Sequence, residues 1–274
     1  MPATPNPPDL PEPEDLQAEF SAAGHDLDWG DPVPTRADIV AEFGPEATAA
    51  SFTLLRRLLA HHDEATRQFL HAIRSGDVPH ELDHRIKSPQ SLARKLWKYR
   101  HMQLPVDDVL RYTVVTEHPD RLIDSARETV ARLAETGWQV QSAHQSYVDG
   151  SRYKGIHAIM RTATGTEVEV QFHSVESIQV KTRTTGLYHV ERDPTQPKTV
   201  RAEATAEAVR LSAAMRQPAG LDAFTELGGC RVEARRYGSS DRRPPRRTAA
   251  QSTRHPARGV NPASERTNDN GRTT

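Results

Sequence analysis

The apolar residues that could form a hydrophobic core are concentrated in the middle of this 274-residue chain. Residues 1–43 carry ten Asp and Glu against one Arg, with eight prolines before position 35. From Arg231 onward the balance reverses to eleven Arg against four acidic residues. Segments of such composition bury too little apolar surface to fold. The sequence therefore predicts a disordered acidic arm over 1–43, one folded domain over 44–217 and a disordered Arg-rich tail over 218–274.

Several classes of protein are excluded by simple counts. The chain has no run of about 18 apolar residues and therefore no membrane span. Its first residues lack the basic and apolar regions of a secretory signal. The single cysteine, Cys230, excludes an internal disulfide and a cysteine-based zinc site. We therefore expect a cytoplasmic protein with no membrane partner.

The hydrophobic period changes from helical to strand-like near residue 110. Apolar residues at three- and four-residue steps predict an amphipathic helix over 46–75, and Ser88-Pro89 predicts the start of a second helix. The later predicted elements are a strand at 112–117, a helix at 119–136, a strand at 138–148, a hairpin over 153–173, and helices near 174–185 and 199–216. This order predicts an α+β (or α/β) fold with a mixed β-sheet flanked by helices.

The second arm of the hairpin has one apolar and one polar face, because strand side chains alternate. Val168, Val170 and Phe172 form the apolar face. Glu169 and Gln171 lie on the polar face, with Glu167 and His173.

A group of cations precedes and follows the predicted helix start at Ser88. Arg85 and Lys87 lie just before it, and Lys95 lies on the helix. Together with the unpaired amides of a helix start, these side chains suit a polyphosphate. The alternative is a solvated basic helix face.

Two carboxylates are candidates for a Mg²⁺ site. Asp108 comes just before the first predicted strand, and Glu169 lies within the hairpin. An acid between two valines is costly in a strand unless it is paired or binds a metal. The alternative is that Glu169 lies on a solvated sheet face.

Residues His80 to His84 also satisfy the pattern H-E-x-x-H, which holds zinc when both histidines share one face of a helix. The flanking Gly76 and Pro79 argue against a helix here. We interpret the match as accidental.

Four separated blocks of sequence resemble the synthetase domain of the RelA/SpoT homologues, which make the alarmone (p)ppGpp. They are RIKSPQSLARKL (85–96), DVLRYTVV (108–115), RYKGIH (152–157) and VEVQFH (168–173). The chain resembles a synthetase-only small alarmone synthetase or a toxin-type relative, and this implies a nucleotidyltransferase-like fold.

The resemblance also implies roles for particular residues. It assigns Arg85, Lys87, Ser88 and Lys95 to ATP, and Asp108 and Glu169 to Mg²⁺, with Glu169 also activating the acceptor hydroxyl. It assigns Tyr153, His157 and Gln171 to the acceptor nucleotide, Tyr153 by stacking on its base. Arg111 and Thr113 depart from the family pattern, which has Gly and Arg in their places.

The implied reaction transfers the β,γ-pyrophosphate of ATP to the 3′-hydroxyl of GDP or GTP and releases AMP. Toxin-type transfer to adenosine nucleotides or to the tRNA 3′ end is an alternative, and the basic tail would suit tRNA. A catalytically inactive nucleotide-binding module is a further alternative. The sequence leaves the oligomeric state open.

Overall fold

The computed structural model describes residues 10–22, 24–101 and 107–238. The predictions for residues 1–9 and 239–274, which include most of the basic tail, lie outside the described residues. Within the described ranges, no helix combines the length and apolar character that crossing a membrane requires.

A seven-stranded mixed sheet forms the centre of the described structure. Its strands are β1 (Val78–His80), β2 (Leu110–Thr116), β3 (Gln139–Gln145), β4 (Ile156–Arg161), β5 (Glu167–Ser174), β6 (Glu226–Leu227) and β7 (Cys230–Ala234). They lie in the order β1-β2-β5-β4-β3-β7-β6. β2 runs parallel to β5, and β3 runs parallel to β7, while the other neighbours are antiparallel.

Helices flank this sheet, and the predicted mixed α+β fold is confirmed. They are α1 (Pro13–Ser21), α2 (Arg36–Leu59), α3 (His62–Ala72), α4 (Pro89–Lys98), α5 (Leu122–Glu135), α6 (Val175–Arg192) and α7 (Lys198–Ala213). The single helix predicted over 46–75 is instead the second part of α2 followed by α3. The chain breaks at His61, whose backbone is not helical, and His62 then turns inward against the ring of Phe20.

The N-terminal segment is folded from residue 10, so the prediction of a disordered arm up to residue 43 is wrong for the residues described. Leu16 and Phe20, one helical turn apart on α1, are fully buried in the main core. Thr35 forms a capping box with Asp38 at the start of α2. Proline is compatible with the first turn of a helix, where Pro13 lies. The counts of proline and charged residues therefore did not reveal the helical spacing of Leu16 and Phe20.

The predicted domain end at residue 217 also differs from the structure. β6 and β7 follow it, and β7 pairs with β3 through Val232 and Ala143. Leu227 and Val232 are buried in the core. These strands were missed because they are short and lie beside a stretch rich in arginine.

The two faces of β5 differ as the alternation predicts. Val168, Val170 and Phe172 are fully buried in the apolar core. On the other face, Glu169 lies opposite Arg111 of β2 and Gln171 lies opposite His157 of β4. This polar face is covered: the side chain of Glu169 is 14% exposed and Gln171 is 6% exposed. The alternative of a solvated sheet face does not hold.

Candidate active site

The start of α4 joins two lysines to one carboxylate. Ser88 caps the helix by accepting a hydrogen bond from the Ser91 amide, as predicted. The ammonium groups of Lys87 and Lys95 each lie 2.7 Å from a different carboxylate oxygen of Asp108. The structure therefore brings together three residues that the sequence placed in one site, two lysines and the aspartate they share.

The charges in this group stabilise one another. Burial would raise the pKa of the Asp108 carboxyl, but Lys87 and Lys95 hold it below its ordinary value. Burial likewise opposes the charge of Lys95, yet Asp108 raises the pKa of that ammonium. Asp108 and Lys95 are therefore both charged near neutral pH.

Arg85 does not lie with these lysines as an available cation. It is 1% exposed, and its guanidinium donates hydrogen bonds to the main-chain oxygens of Phe20, His25, Asp26 and Leu82. In this structure Arg85 is a structural residue that holds the N-terminal segment. Burial disfavours the charged guanidinium, and the hydrogen bonds to these carbonyls compensate for part of that cost.

A cleft of about 810 Å³ opens beside the lysine–aspartate group. We call it the charged cleft. Its lining is Asp28, Trp29, Gly30, His84, Arg85, Ile86, Lys87, Ser88, Ser91, Asp108, Arg111 and His189. Residues 28–30 come from the N-terminal segment, so one wall of the cleft consists of residues that sequence composition had assigned to disorder.

Glu169 lies on β5, opposite Arg111 of the cleft lining. Its Oε1 atom is 2.8 Å from Nδ1 of His157. Burial would raise the pKa of Glu169, but the hydrogen bond and charge of His157, with the charge of Arg111, lower it to about 2. Glu169 is therefore ionised at physiological pH although it is mostly buried.

Arg111 is a site residue that sequence reasoning did not assign. It lines the charged cleft and lies opposite Glu169 in the strand register. Within the described residues, the Arg111 side chain has no hydrogen-bonding or ion-pair partner. The signal for it was the alternation in β2, where Arg111 lies between the buried Leu110 and Tyr112 and therefore faces the polar side.

A third carboxylate, Asp107, lies beside the first two. Its pKa is raised, first by burial and further by the charges of Asp108 and Glu169. Mutual repulsion among carboxylates is relieved by a divalent cation, and Mg²⁺ needs only one or two protein carboxylates besides substrate phosphates. Asp108 and Glu169 offer the type of oxygen ligand that Mg²⁺ prefers, and in this structure both oxygens of Asp108 are bound by lysines.

His157 belongs to a group of rings that we call the histidine–tyrosine cluster: His144, Tyr153, His157, His173 and Tyr237. The rings of His144 and His157 stack with centroids 4.6 Å apart. The Tyr153 hydroxyl is 2.7 Å from Nε2 of His173, and its ring meets that of Tyr237 edge to face at 5.4 Å. Tyr153 is therefore enclosed by other rings.

The segment that follows β7 closes this cluster. The Tyr237 hydroxyl lies 2.9 Å from Nε2 of His144, and the Arg152 amide donates to the Tyr237 carbonyl. Arg236 donates to the Asp149 carbonyl. Sequence reasoning missed His144 and Tyr237, because nothing local to residues 144 or 237 indicates that the two strands pair.

The H-E-x-x-H segment does not form the helix that a zinc site of this pattern requires. His80 ends β1, Glu81 has a left-handed backbone, and residues 82–84 form a 3-10 turn. Two residues of this segment, Asp83 and His84, form an exposed group with Asp28 in which the ligand atoms lie within 4.8 Å of one another. Exposure and the absence of a further signal leave this group without an assigned role.

Comparison with protein-family models gave no match, and neither did a search of curated proteins. Among solved structures, the chain is similar to small alarmone synthetase 1 from Bacillus subtilis bound to its product pppGpp, with 14% identity, TM-score 0.36 and coverage of 57% of this chain and 92% of that one. A second structure of that synthetase has 16% identity, TM-score 0.37 and coverage of 57% and 91%. The complex of the Type VI effector Tas1 with its immunity protein has 21% identity, TM-score 0.32 and coverage of 60% and 95%.

Proposed function

We propose that this protein is an ATP-dependent pyrophosphotransferase that acts on the 3′-hydroxyl of a purine nucleotide, with GDP or GTP as the first candidates. The observation that carries the proposal is the pair of lysines on Asp108, at the start of α4 and next to an ionised, buried Glu169. The four blocks of sequence that resemble the alarmone synthetases contain these residues.

The charged cleft suits the polyphosphate of ATP. The capped start of α4 offers main-chain amides, and Lys87 and Arg111 offer positive charge. Lys95 adds positive charge behind the lining, on Asp108. Mg²⁺, held by Asp108 and Glu169, would supply further neutralisation of phosphate charge. Arg85 is not in this set, because its guanidinium is already bound to four carbonyls.

The transfer forms one bond and breaks another. The 3′-oxygen of the acceptor attacks the β-phosphorus of ATP, the bond between that phosphorus and the α,β-bridging oxygen breaks, and AMP leaves with the bridging oxygen. The acceptor hydroxyl gives up its proton to the Glu169 carboxylate. Positioning and charge stabilisation supply most of the rate in such reactions.

The low pKa of Glu169 limits its part in this step. A carboxylate with a pKa of about 2 is a weak base at neutral pH, so it does not remove the proton before the new bond begins to form. Its first task is to accept a hydrogen bond from the hydroxyl and orient it. Because phosphoryl transition states are loose, late proton transfer is sufficient.

The acceptor side is proposed to involve His157, Gln171 and Tyr153. Nε2 of His157 is buried and has no hydrogen-bond partner among the described residues, so a ring nitrogen is available to an acceptor group. Gln171 lies opposite His157 in the register. Tyr153 is enclosed by Tyr237, so stacking of an acceptor base on Tyr153 requires the segment around Tyr237 to move.

The proposal is tested by following label from ATP in the presence of Mg²⁺ and, separately, GDP, GTP, ADP, AMP or bulk tRNA. Label in the γ-phosphate should pass to an acceptor while label in the α-phosphate appears as AMP. Release of ADP instead of AMP would indicate simple phosphoryl transfer and contradict the proposal. The acceptor that becomes labelled identifies the substrate, and no transfer to any of them would favour a nucleotide-binding module.

Glu169→Gln should lower the transfer rate at least about 100-fold while ATP still binds. Glu167→Gln is a matched control, because Glu167 lies on the same strand and face but pairs with Arg161. Near-normal transfer by Glu169→Gln would refute the role of Glu169.

A further inference from the structure

The charged cleft has an aromatic side chain beside its cations. Trp29 lines the cleft, and its indole Nε1 donates a 2.9 Å hydrogen bond to the carbonyl of Ile86, the residue before Lys87. The ring of Trp29 is therefore fixed next to the chain that carries the first lysine of the site. On α6, His189 also lines the cleft.

Trp29 is held rigidly by groups around it. Its amide donates to the Gln17 side chain, and its ring meets the ring of Phe20 edge to face at 6.0 Å. The preceding residue, Asp28, donates its amide to the Asp83 carbonyl at 2.8 Å. Such fixing removes the entropy that a mobile ring would lose when a ligand stacks on it.

From this arrangement we infer that Trp29 is the surface on which the purine base of the donor nucleotide stacks, with the polyphosphate directed toward Lys87 and Arg111. The inference rests on the proposed function for the identity of the donor. A nucleoside polyphosphate matches the cleft because it has a flat aromatic base at one end and concentrated negative charge at the other. Every base has a flat π-face that can stack on an aromatic ring, and such stacking contributes to the affinity for nucleotides.

The other two tryptophans differ from Trp29 and provide an internal comparison. Trp138 is 1% exposed in the core. Trp97 is 45% exposed on α4, and the guanidinium of Arg100 lies over its ring. Neither lines the charged cleft. Quenching of tryptophan fluorescence by ATP should therefore come from Trp29.

The test compares ATP with inorganic tripolyphosphate, which has the charge but no base. Trp29→Leu should weaken ATP binding about 10-fold to 100-fold, as measured by calorimetry, and leave tripolyphosphate binding unchanged. Trp29→Phe keeps an aromatic face and should bind ATP within a few-fold of the unmodified protein. Trp97→Leu is the matched control and should bind both ligands normally.

Two results would overturn the inference. One is equal weakening of ATP and tripolyphosphate by Trp29→Leu, which would show that Trp29 only supports the wall of the cleft. The other is unchanged ATP affinity. If Trp29→Leu does not fold, tryptophan fluorescence of the unmodified protein provides the test. ATP should quench a signal that tripolyphosphate does not quench. The same signal should be missing from Trp29→Phe.

These outcomes separate the inference from the proposed function. ATP binding that depends on Trp29 without any pyrophosphate transfer would support the base platform and refute the transferase. Transfer that depends on Glu169 but not on Trp29 would support the transferase and refute the platform.

Discussion

The charged cleft and the histidine–tyrosine cluster are both linked to Glu169, the first through Arg111 and the second through His157, and they differ in how their polar groups are satisfied. In the cleft, Lys87 and Lys95 pair with Asp108, and Arg111 has no such partner among the described residues. In the cluster, Tyr153 and His144 are already bound by other side chains. The cleft is thus arranged for an anionic ligand, whereas the cluster is closed by the protein's own rings.

The two halves of the site therefore differ in whether their side chains are free to contact a ligand. In the cleft, Arg111 has no competing partner among the described residues, so its charge is already in place for a polyphosphate. A closed cluster must open before a second substrate enters. The order expected from this comparison is binding of the donor first and of the acceptor second.

The largest effect is expected from Asp108→Asn, which changes the centre of the charged cleft. Transfer should fall about 100-fold to 1000-fold, because a charged group at the reacting centre is lost. ATP affinity measured in EDTA should not fall, since Lys87 and Lys95 lose their carboxylate partner and become available. Rate and ATP affinity are to be measured separately by steady-state kinetics and calorimetry.

Asp120→Asn is the control for this change, since Asp120 is on the surface and pairs with Arg216. A parallel loss of rate and of ATP affinity in Asp108→Asn would contradict the comparison, because it would make Asp108 an organiser of the cleft rather than a group for the reaction.

Arg85→Met should destabilise the wall of the cleft. Removing a buried guanidinium leaves several carbonyls without donors, with an expected cost of about 2–4 kcal/mol in the free energy of unfolding. Denaturant unfolding measures this cost, and hydrogen exchange should show lost protection in α1. Arg67→Met, at a side chain that is 70% exposed, should change stability by no more than about 0.5 kcal/mol. Unchanged protection of α1 would show that Arg85 does not hold the N-terminal segment.

Arg111→Met should lower transfer about 10-fold to 100-fold, because a charge-assisted hydrogen bond contributes about 1.5–3 kcal/mol. The loss of binding affinity should be larger for ATP than for AMP, since AMP lacks the β- and γ-phosphates. Arg161→Met removes a cation from the same sheet, outside the cleft, and serves as the control. Equal affinity losses for ATP and AMP would place Arg111 away from the transferred group.

The smallest effect concerns acid stability of the histidine–tyrosine cluster. Burial, with the charges of His157 and Arg235, lowers the pKa of His144 to about 2, while Glu169 acts in the opposite direction and Tyr237 bonds the ring. Below pH 6.5 the unfolded chain binds a proton at His144 that the folded protein does not bind. As far as His144 is concerned, the free energy of unfolding is therefore at its maximum above pH 6.5. It falls as the pH decreases, by up to about 1.4 kcal/mol per pH unit.

Unfolding by denaturant between pH 7 and pH 5 checks this expectation. His144→Gln should reduce the slope of stability against pH, whereas His118→Gln, at a side chain that is 71% exposed, should not. An unchanged slope in His144→Gln would mean that the ring of His144 accepts a proton in the folded protein.

Local patterns predicted the elements that carry the site. The alternation in β5 placed Glu169 and Gln171 on one face, and Ser88-Pro89 marked the start of α4. Both are short-range effects, because a strand period of two and a helix cap depend on neighbouring residues only. The helix over 46–75 was predicted in type but not in its break at His61.

The features that the sequence did not predict depend on contacts between residues that are far apart in the chain. The inward position of Arg85 depends on carbonyls at residues 20–26, about sixty positions earlier in the chain. Tyr237 reaches His144 only because β7 pairs with β3. Composition could not show that residues 10–35 fold, since their few apolar side chains gain stability only from a core formed by other segments.

The sequence by itself determined the type of most helices and strands, the polar face of β5 and the grouping of cations near Ser88, because each depends on local spacing. The tertiary structure decided which cations are available. It buried Arg85, paired two lysines with Asp108, left Arg111 in the cleft and brought Trp29 to its wall. The reason is physical: availability depends on which partners a charged or aromatic group meets in space, and those partners are far away in the chain.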